Sequence, residues 1–168
     1  MKTSKEETCG RIDKIVRDPL FRQNMSLMAE KEKRRKYCRH DMRHLLDTAR
    51  IAYILNLENN LGLDKDIIYA AGLLHDVGKI VEYAEGMEHH VVGAELCVQI
   101  LRDAQYSEDE IQMIRRAILL HREPLIKNEN SLTGILYRAD KLSRPCFSCK
   151  TEPQCDWSTD KKNINIIY

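Results

Sequence analysis

The chain has 168 residues, with 27 Lys and Arg against 26 Asp and Glu and a formal net charge of +1. That balance removes any overall electrostatic case for nucleic acid or a membrane surface as partner, and no apolar run approaches the roughly 20 residues that a membrane-spanning helix needs. The length suits one domain with a real core, and the opening MKTSKEETCG carries no apolar stretch of signal-peptide type, so a cytoplasmic protein is expected, whose six cysteines serve as thiols or metal ligands rather than disulfides.

Apolar residues recur at helical spacing and strand-like alternation is scarce. Residues 4–18 suit a short helix closed before Pro19. A second helical stretch follows, running into the charged segment AEKEKRRKYCRH, which suits a solvent-facing helix surface better than a phosphate-binding patch. In HLLDTARIAYILNLENN the positions Leu45, Thr48, Ala49, Ala52, Tyr53 and Leu55 form one broad stripe. NNLGLDKD breaks that helix, and Asp64 suits the N-cap of the next, IIYAAGLLHD, which Gly78 ends or bends. After the polar EYAEGME, a helix is expected from about Val91 to Ala104, with Val92, Leu96, Ile100 and Leu101 on one side. Ser107 and Glu110 in SEDE form a capping box that opens IQMIRRAILLH. SLTGILYRADKL is one more helix, and Pro145 begins a Cys-rich tail. The expectation is an all-α bundle of about six or seven helices.

GLLHDVGK, residues 72–79, sets an imidazole and a carboxylate at the end of a core-grade apolar run. Burying His75 and Asp76 without partners costs several kcal/mol, and a bound metal ion is one compensation. His44 begins its helix stripe, His89 and His90 precede VVGAE, His121 ends RRAILL and Asp140 follows ILYRA. Taken singly, each is as consistent with a satisfied core or capping residue. Taken jointly, imidazoles and carboxylates at corresponding helix ends suit a divalent transition ion such as iron, manganese, zinc or cobalt.

HLLDTARIA, GLLHDVGK, HHVVGAE, LLHREP and ADKLS, in that order and spacing, resemble the HD-domain superfamily of metal-dependent phosphohydrolases, over residues 40 to 144. The extra histidines resemble its two-metal branch, above all the bacterial hydrolases that cut diadenosine tetraphosphate symmetrically. The resemblance implies that His44, His75, Asp76 and Asp140 hold one metal. Asp76 would bridge to a second metal, bound also by His89 and His121, with iron the leading choice. It further implies a bridging hydroxide that attacks phosphorus, with Asp76 and Lys79 in catalytic roles. Lys79 is equally an ordinary cation at the C-terminus of its helix. Arg138 and Lys141 are weaker phosphate candidates; His40, one turn before His44, could support a ligand or meet substrate and His90 could face solvent, with an ordinary structural role favoured for both.

CFSCKTEPQC adds Cys146, Cys149 and Cys155, spaced C-x2-C-x5-C. Cys38 lies six residues before His44 and Cys146 six after Asp140, so both can reach one side of the same site. One upstream cysteine plus this spacing is similar to the iron–sulfur staple of certain RecB-like nucleases, on an unrelated fold. The four cysteines could hold a [4Fe-4S] cluster or structural zinc, or remain free thiols. Cys97 suits the core, and Cys9 has no such argument. The organisation expected is a helical segment over 1–37, an HD domain over 38–144 and a Cys-rich tail over 145–168 packed on it. The partner expected is a nucleotide or other small phosphate ester, with diadenosine tetraphosphate foremost. A nucleoside monophosphate phosphatase or a non-enzymatic metal or redox sensor is the alternative. Neither nucleic acid nor membrane is expected, and the oligomeric state is open, a homodimer included.

Overall fold

The computed structural model describes residues 10–168, so Cys9 and the start of the first expected helix lie outside it. Among the described residues there are eight α-helices and no strand: α1 (Arg11–Arg17), α2 (Pro19–Lys31), α3 (Met42–Glu58), α4 (Lys65–Leu74), α5 (Lys79–Glu85), α6 (His89–Asp103), α7 (Glu108–Leu120) and α8 (Leu132–Leu142). The extra helix beyond the six or seven expected is α5, which sequence patterning assigns to a polar connection. Seven residues long, it has no fully buried side chain, hence no apolar stripe to betray it.

Local chemistry sets the ends of the site-bearing helices. Asp41 caps α3 by accepting from the His44 amide at 3.0 Å, which also fixes the first turn that carries His44. Asp64 occupies the N-cap position of α4 in extended backbone but makes no side-chain cap. The capping box of α7 is formed: the Ser107 amide donates to Glu110 at 2.7 Å and Ser107 Oγ accepts from the Glu110 amide at 3.4 Å. Gly86, at φ +76°, ends α5 in the left-handed region.

The core brings the site together. Five of the six positions of the α3 stripe are buried, with Tyr53 half-buried. They pack on α4 and α8, while α7 packs on α6 and α8. A Cβ on Gly72 would sit 2.7 Å from Ala49 Cα, so only glycine lets α4 lie this close to α3. A Cβ on Gly78 would lie 2.3 Å from the His89 carbonyl and 2.6 Å from the Gly93 amide nitrogen. That approach delivers the start of α6, and His89 with it, against the His75–Asp76 turn. The buried face of α6 is Gly93, Ala94, Cys97, Ile100 and Leu101. It is rotated from the expected one, leaving Val92 and Leu96 half-buried, because the glycine contact decides which side meets the core.

The charged run is a correction. Helix α2 stops at Lys31, and Glu32 within EKEKRRK is 3% exposed rather than solvated. It accepts from the His40 amide at 2.7 Å and from the Tyr83 hydroxyl at 2.5 Å, and those bonds outweigh helix propensity in fixing the chain there.

Candidate metal centre

Six of the sequence-selected ligands converge. Nitrogen or oxygen atoms of His44, His75 and Asp140 lie within 4.8 Å of one another, and so do those of Asp76, His89 and His121. They come from five places in the chain. His44 is on the first turn of α3, His75 and Asp76 follow α4, His89 starts α6, His121 follows α7 and Asp140 is near the end of α8. His75 is 0%, His121 1%, Asp76 3%, His89 5% and His44 6% exposed.

Asp76 joins the two groups. Its Oδ2 lies 3.1 Å from His75 Nε2 and 3.3 Å from His44 Nε2, while its Oδ1 lies 3.4 Å from His89 Nε2. Asp140 Oδ1 is 3.4 Å from His44 Nε2 and 3.7 Å from His75 Nε2. The Nε2 atoms of His89 and His121 are 3.3 Å apart. Two ring nitrogens this close cannot both carry a proton.

The other ring nitrogen of each imidazole is taken. His75 Nδ1 donates to the Gly72 carbonyl at 2.8 Å and His121 Nδ1 to the Ile118 carbonyl at 2.6 Å, each within its own helical turn. His44 Nδ1 donates to Ser143 Oγ at 3.0 Å, whose own hydrogen goes to the Asp140 carbonyl at 2.8 Å. His89 Nδ1 donates to the Glu82 carboxylate. All four rings therefore point Nε2 inward with Nδ1 tied outside, the arrangement that metal-ligating histidines use.

Two buried atoms at the focus, His75 Nε2 and Asp76 Oδ2, have no hydrogen-bond partner. Such atoms cost of order 1–3 kcal/mol each unless something engages them. Burial pushes His75 down, but Asp76 and Asp140 overcome it and hold the ring protonated up to about 10. Burial pushes His121 down to about 3 and His89 down to about 4. Asp76 and Asp140 stay well below the usual carboxylate range despite burial, chiefly through His75 for the first and Lys141 for the second. Two carboxylates kept charged beside the neutral imidazoles of His89 and His121, with a His75 ring proton to give up, have the donor set and charge that divalent cations require.

Lys79 begins α5 with its ammonium 2.9 Å from Glu82 Oε1 and 3.4 Å from His89 Nδ1. Lys141 bonds Asp140 at 2.9 Å and the His121 carbonyl at 3.2 Å, whereas Arg138 bonds the carbonyls of Lys127 and Glu129. His40 is buried against Glu32 with its ring 5.9 Å from that of His44. His90 pairs with Glu88 at 3.2 Å. Sequence reasoning missed Glu82, Ser143 and Arg144. Arg144 is 5% exposed, with a nitrogen 2.9 Å from His44 Nε2 and 3.8 Å from Asp140 Oδ1. The signal was present in ADKLSR, where Ser143 and Arg144 follow Asp140 by three and four residues and so share its helix face.

The pattern of the HD domain matches residues 42–144, which is most of the chain and includes all six of these residues. The chain belongs to the HD domain family. An uncharacterized protein of Clostridium beijerinckii is 45% identical over 137 residues, covering 82% of this chain and 85% of that one. Ribonuclease Y of Lawsonia intracellularis is 32% identical over 110 residues, or 66% of this chain, and ribonuclease Y of Mycoplasma mycoides subsp. mycoides is 31% identical over 119. The chain spans only about a fifth of the length of those two ribonucleases. A crystal structure of a predicted HD superfamily hydrolase from an uncultured Thermotogales bacterium superposes with a TM-score of 0.61 at 25% identity, covering 82% of this chain and 70% of that one. The fold is that of an all-helical HD domain, and the enzyme class is metal-dependent phosphohydrolase. No helix among the described residues is long and apolar enough to cross a membrane.

Proposed function

We propose that this HD-domain hydrolase uses two divalent transition ions to cleave a phosphoanhydride or phosphate ester of a small nucleotide, with diadenosine tetraphosphate the leading candidate. His44, His75, Asp76 and Asp140 would hold one ion, and Asp76, His89 and His121 the other. The observation that carries this reading is the division of the Asp76 carboxylate, one oxygen toward each group. Iron is the first choice for the ions, ahead of manganese, cobalt and zinc. When bound, such ions supply Lewis-acid polarisation of a phosphoryl oxygen and a water of lowered pKa.

The chain itself supplies position, charge and dryness. Asp76 holds both ligand groups in one register, and the four tied Nδ1 atoms keep each ring from turning. His75, protonated up to about 10 in the absence of a cation, would give up its Nε2 proton to make that nitrogen a donor for an ion. A cavity of about 680 Å³ adjoins the His44 side of the centre. Lys36, Arg39, Arg43, Arg50 and Arg144 line it against only Asp41 and Asp47, an excess of three positive charges for a polyphosphate. Tyr37 and Phe147 in its walls offer faces for a base to stack on. Arg144 lines the cavity and also touches His44. Its forked guanidinium can hold a phosphate oxygen in place for attack.

A second reading is cleavage of an RNA phosphodiester, favoured by the similarity to ribonuclease Y and by the same cationic cavity. The test is turnover by metal-reconstituted protein of diadenosine tetraphosphate, AMP and a short single-stranded RNA, with Asp76→Ala as control. Two ADP from each dinucleotide support the leading reading. Adenosine with phosphate, or RNA fragments, would replace it with the corresponding alternative. Activity of any kind that survives Asp76→Ala would overturn the metal centre itself.

A further inference from the structure

The cysteine-bearing segments are clasped together at two points. The Tyr37 hydroxyl donates to the Gln154 carbonyl at 2.7 Å, bringing the neighbours of Cys38 and Cys155 side by side. An Arg144 guanidinium nitrogen donates to the Arg39 carbonyl at 2.7 Å, bringing the Cys38 and Cys146 segments together from the other side. Cys38, Cys146 and Cys149 line the same cavity. The turn Cys146–Ser148 closes on itself when the Cys149 amide donates to the Cys146 carbonyl at 3.1 Å. All four thiols are free. Burial raises the Cys38 thiol, Arg144 opposes this, and Cys146, Cys149 and Cys155 each raise it further, so all three lie within electrostatic reach.

The tail around these thiols has almost nothing else to hold it. Over residues 145–168 it contains three short 3-10 turns and no α-helix, and only Cys146 and Asn163 are buried. A segment of that kind lacks the apolar burial that stabilises an ordered chain. Metal coordination is the usual substitute in such segments, because binding free energy becomes folding free energy.

We propose that Cys38, Cys146, Cys149 and Cys155 are the four thiolate ligands of a second metal centre, separate from the His and Asp site, that staples the C-terminal tail to the segment between α2 and α3. Coordination releases the thiol protons, and the cations Arg144 and Lys162 nearby offset the thiolate charge. Iron with inorganic sulfide, or zinc, shares this chemistry. A tetrahedral zinc with bonds of about 2.3 Å and a [4Fe-4S] cluster both take four thiolates, and metal and sulfide analysis separates them.

The experiment is metal, acid-labile sulfide and visible-absorption analysis of anaerobically purified full-length chain, wild type beside Cys149→Ser, Cys155→Ser and Asp76→Ala. The proposal expects iron with sulfide, or one zinc, to be lost from both cysteine variants and kept in Asp76→Ala. Iron–sulfide absorption distinguishes the cluster from zinc. Because a cysteine variant can fail by misfolding, thiol alkylation of the native wild type is read by mass spectrometry in parallel. The four thiols should be protected as isolated and become reactive together after the metal is stripped. Metal content unchanged in both cysteine variants, or four thiols alkylated at once in the untreated protein, would overturn the proposal and leave the His and Asp centre untouched.

Discussion

The helical bundle and the C-terminal tail are built from different materials. Helices α3, α4, α6, α7 and α8 interlock through side chains such as Leu45, Ile68, Leu73, Ile100, Ile114 and Ile135, all at most 1% exposed. Each such side chain contributes about 1.5–3 kcal/mol on leaving water. The tail instead runs on single polar links. Asn163 Nδ2 donates to the Leu142 carbonyl at 2.8 Å, the Phe147 amide to the Asn163 carbonyl at 3.0 Å, and Tyr168 to Glu58 at 2.8 Å. Hydrogen bonds of this kind are each worth only about 0.5–1.5 kcal/mol net. Apolar burial holds the bundle, and the tail has little of it.

The largest effect expected is that of Asp76→Ala. It removes the carboxylate that both ligand groups share, so both ions and turnover should go, while the helical circular dichroism stays. One ion retained at full occupancy would show that the groups are independent. Next comes a direct test of the contrast: stripping metal with EDTA and ferricyanide should expose the 145–168 segment to limited proteolysis and leave the bundle intact. Cleavage that starts inside α3 or α7 would reverse the comparison. Gly78→Ala presses a methyl group into the His89 carbonyl and the Gly93 amide. It should cost the bundle about 3 kcal/mol, read as a lowered denaturation midpoint, and weaken the ion on the His89 side more than the one on the His44 side.

Much of this was legible in the sequence, for physical reasons. Apolar periodicity marks α3, α4, α7 and α8, and the six candidate ligand positions stand at ends or faces of those helices and of α6. What was illegible depends on contacts between distant segments. The overall charge of +1 hides a cationic cavity, because segments 36–50 and residue 144 meet only in three dimensions. The burial of Glu32 rests on His40 and Tyr83, and a helix-surface pattern says nothing of either. Short α5 has no buried stripe to detect.

Two smaller predictions sharpen the picture inside the bundle. Ser143→Ala removes the acceptor that orients His44 and should weaken ion binding there about 10- to 100-fold, measured by competition with a chelating dye. Glu32 accepts from His40 and Tyr83, which bring its carboxyl down to about 2 against the opposing effect of burial. A depressed carboxylate stabilises the fold above its ordinary pKa of about 4.5, and loses that contribution as pH falls toward 2. Glu32→Gln should therefore lower the neutral-pH denaturation midpoint and flatten the acid limb below about 4.5. An unchanged acid limb would mean that Glu32 is not the group titrating.

The four imidazoles divide by what holds their outer nitrogens. His75 and His121 lean on main-chain carbonyls, Gly72 and Ile118, which no substitution can delete. His44 and His89 lean on the side chains of Ser143 and Glu82, which one nucleotide change can exchange. If the six residues hold ions as proposed, each ligand group has one ring whose orientation a single side-chain change can retune and one whose orientation the main chain fixes, so metal preference could shift with no ligand replaced.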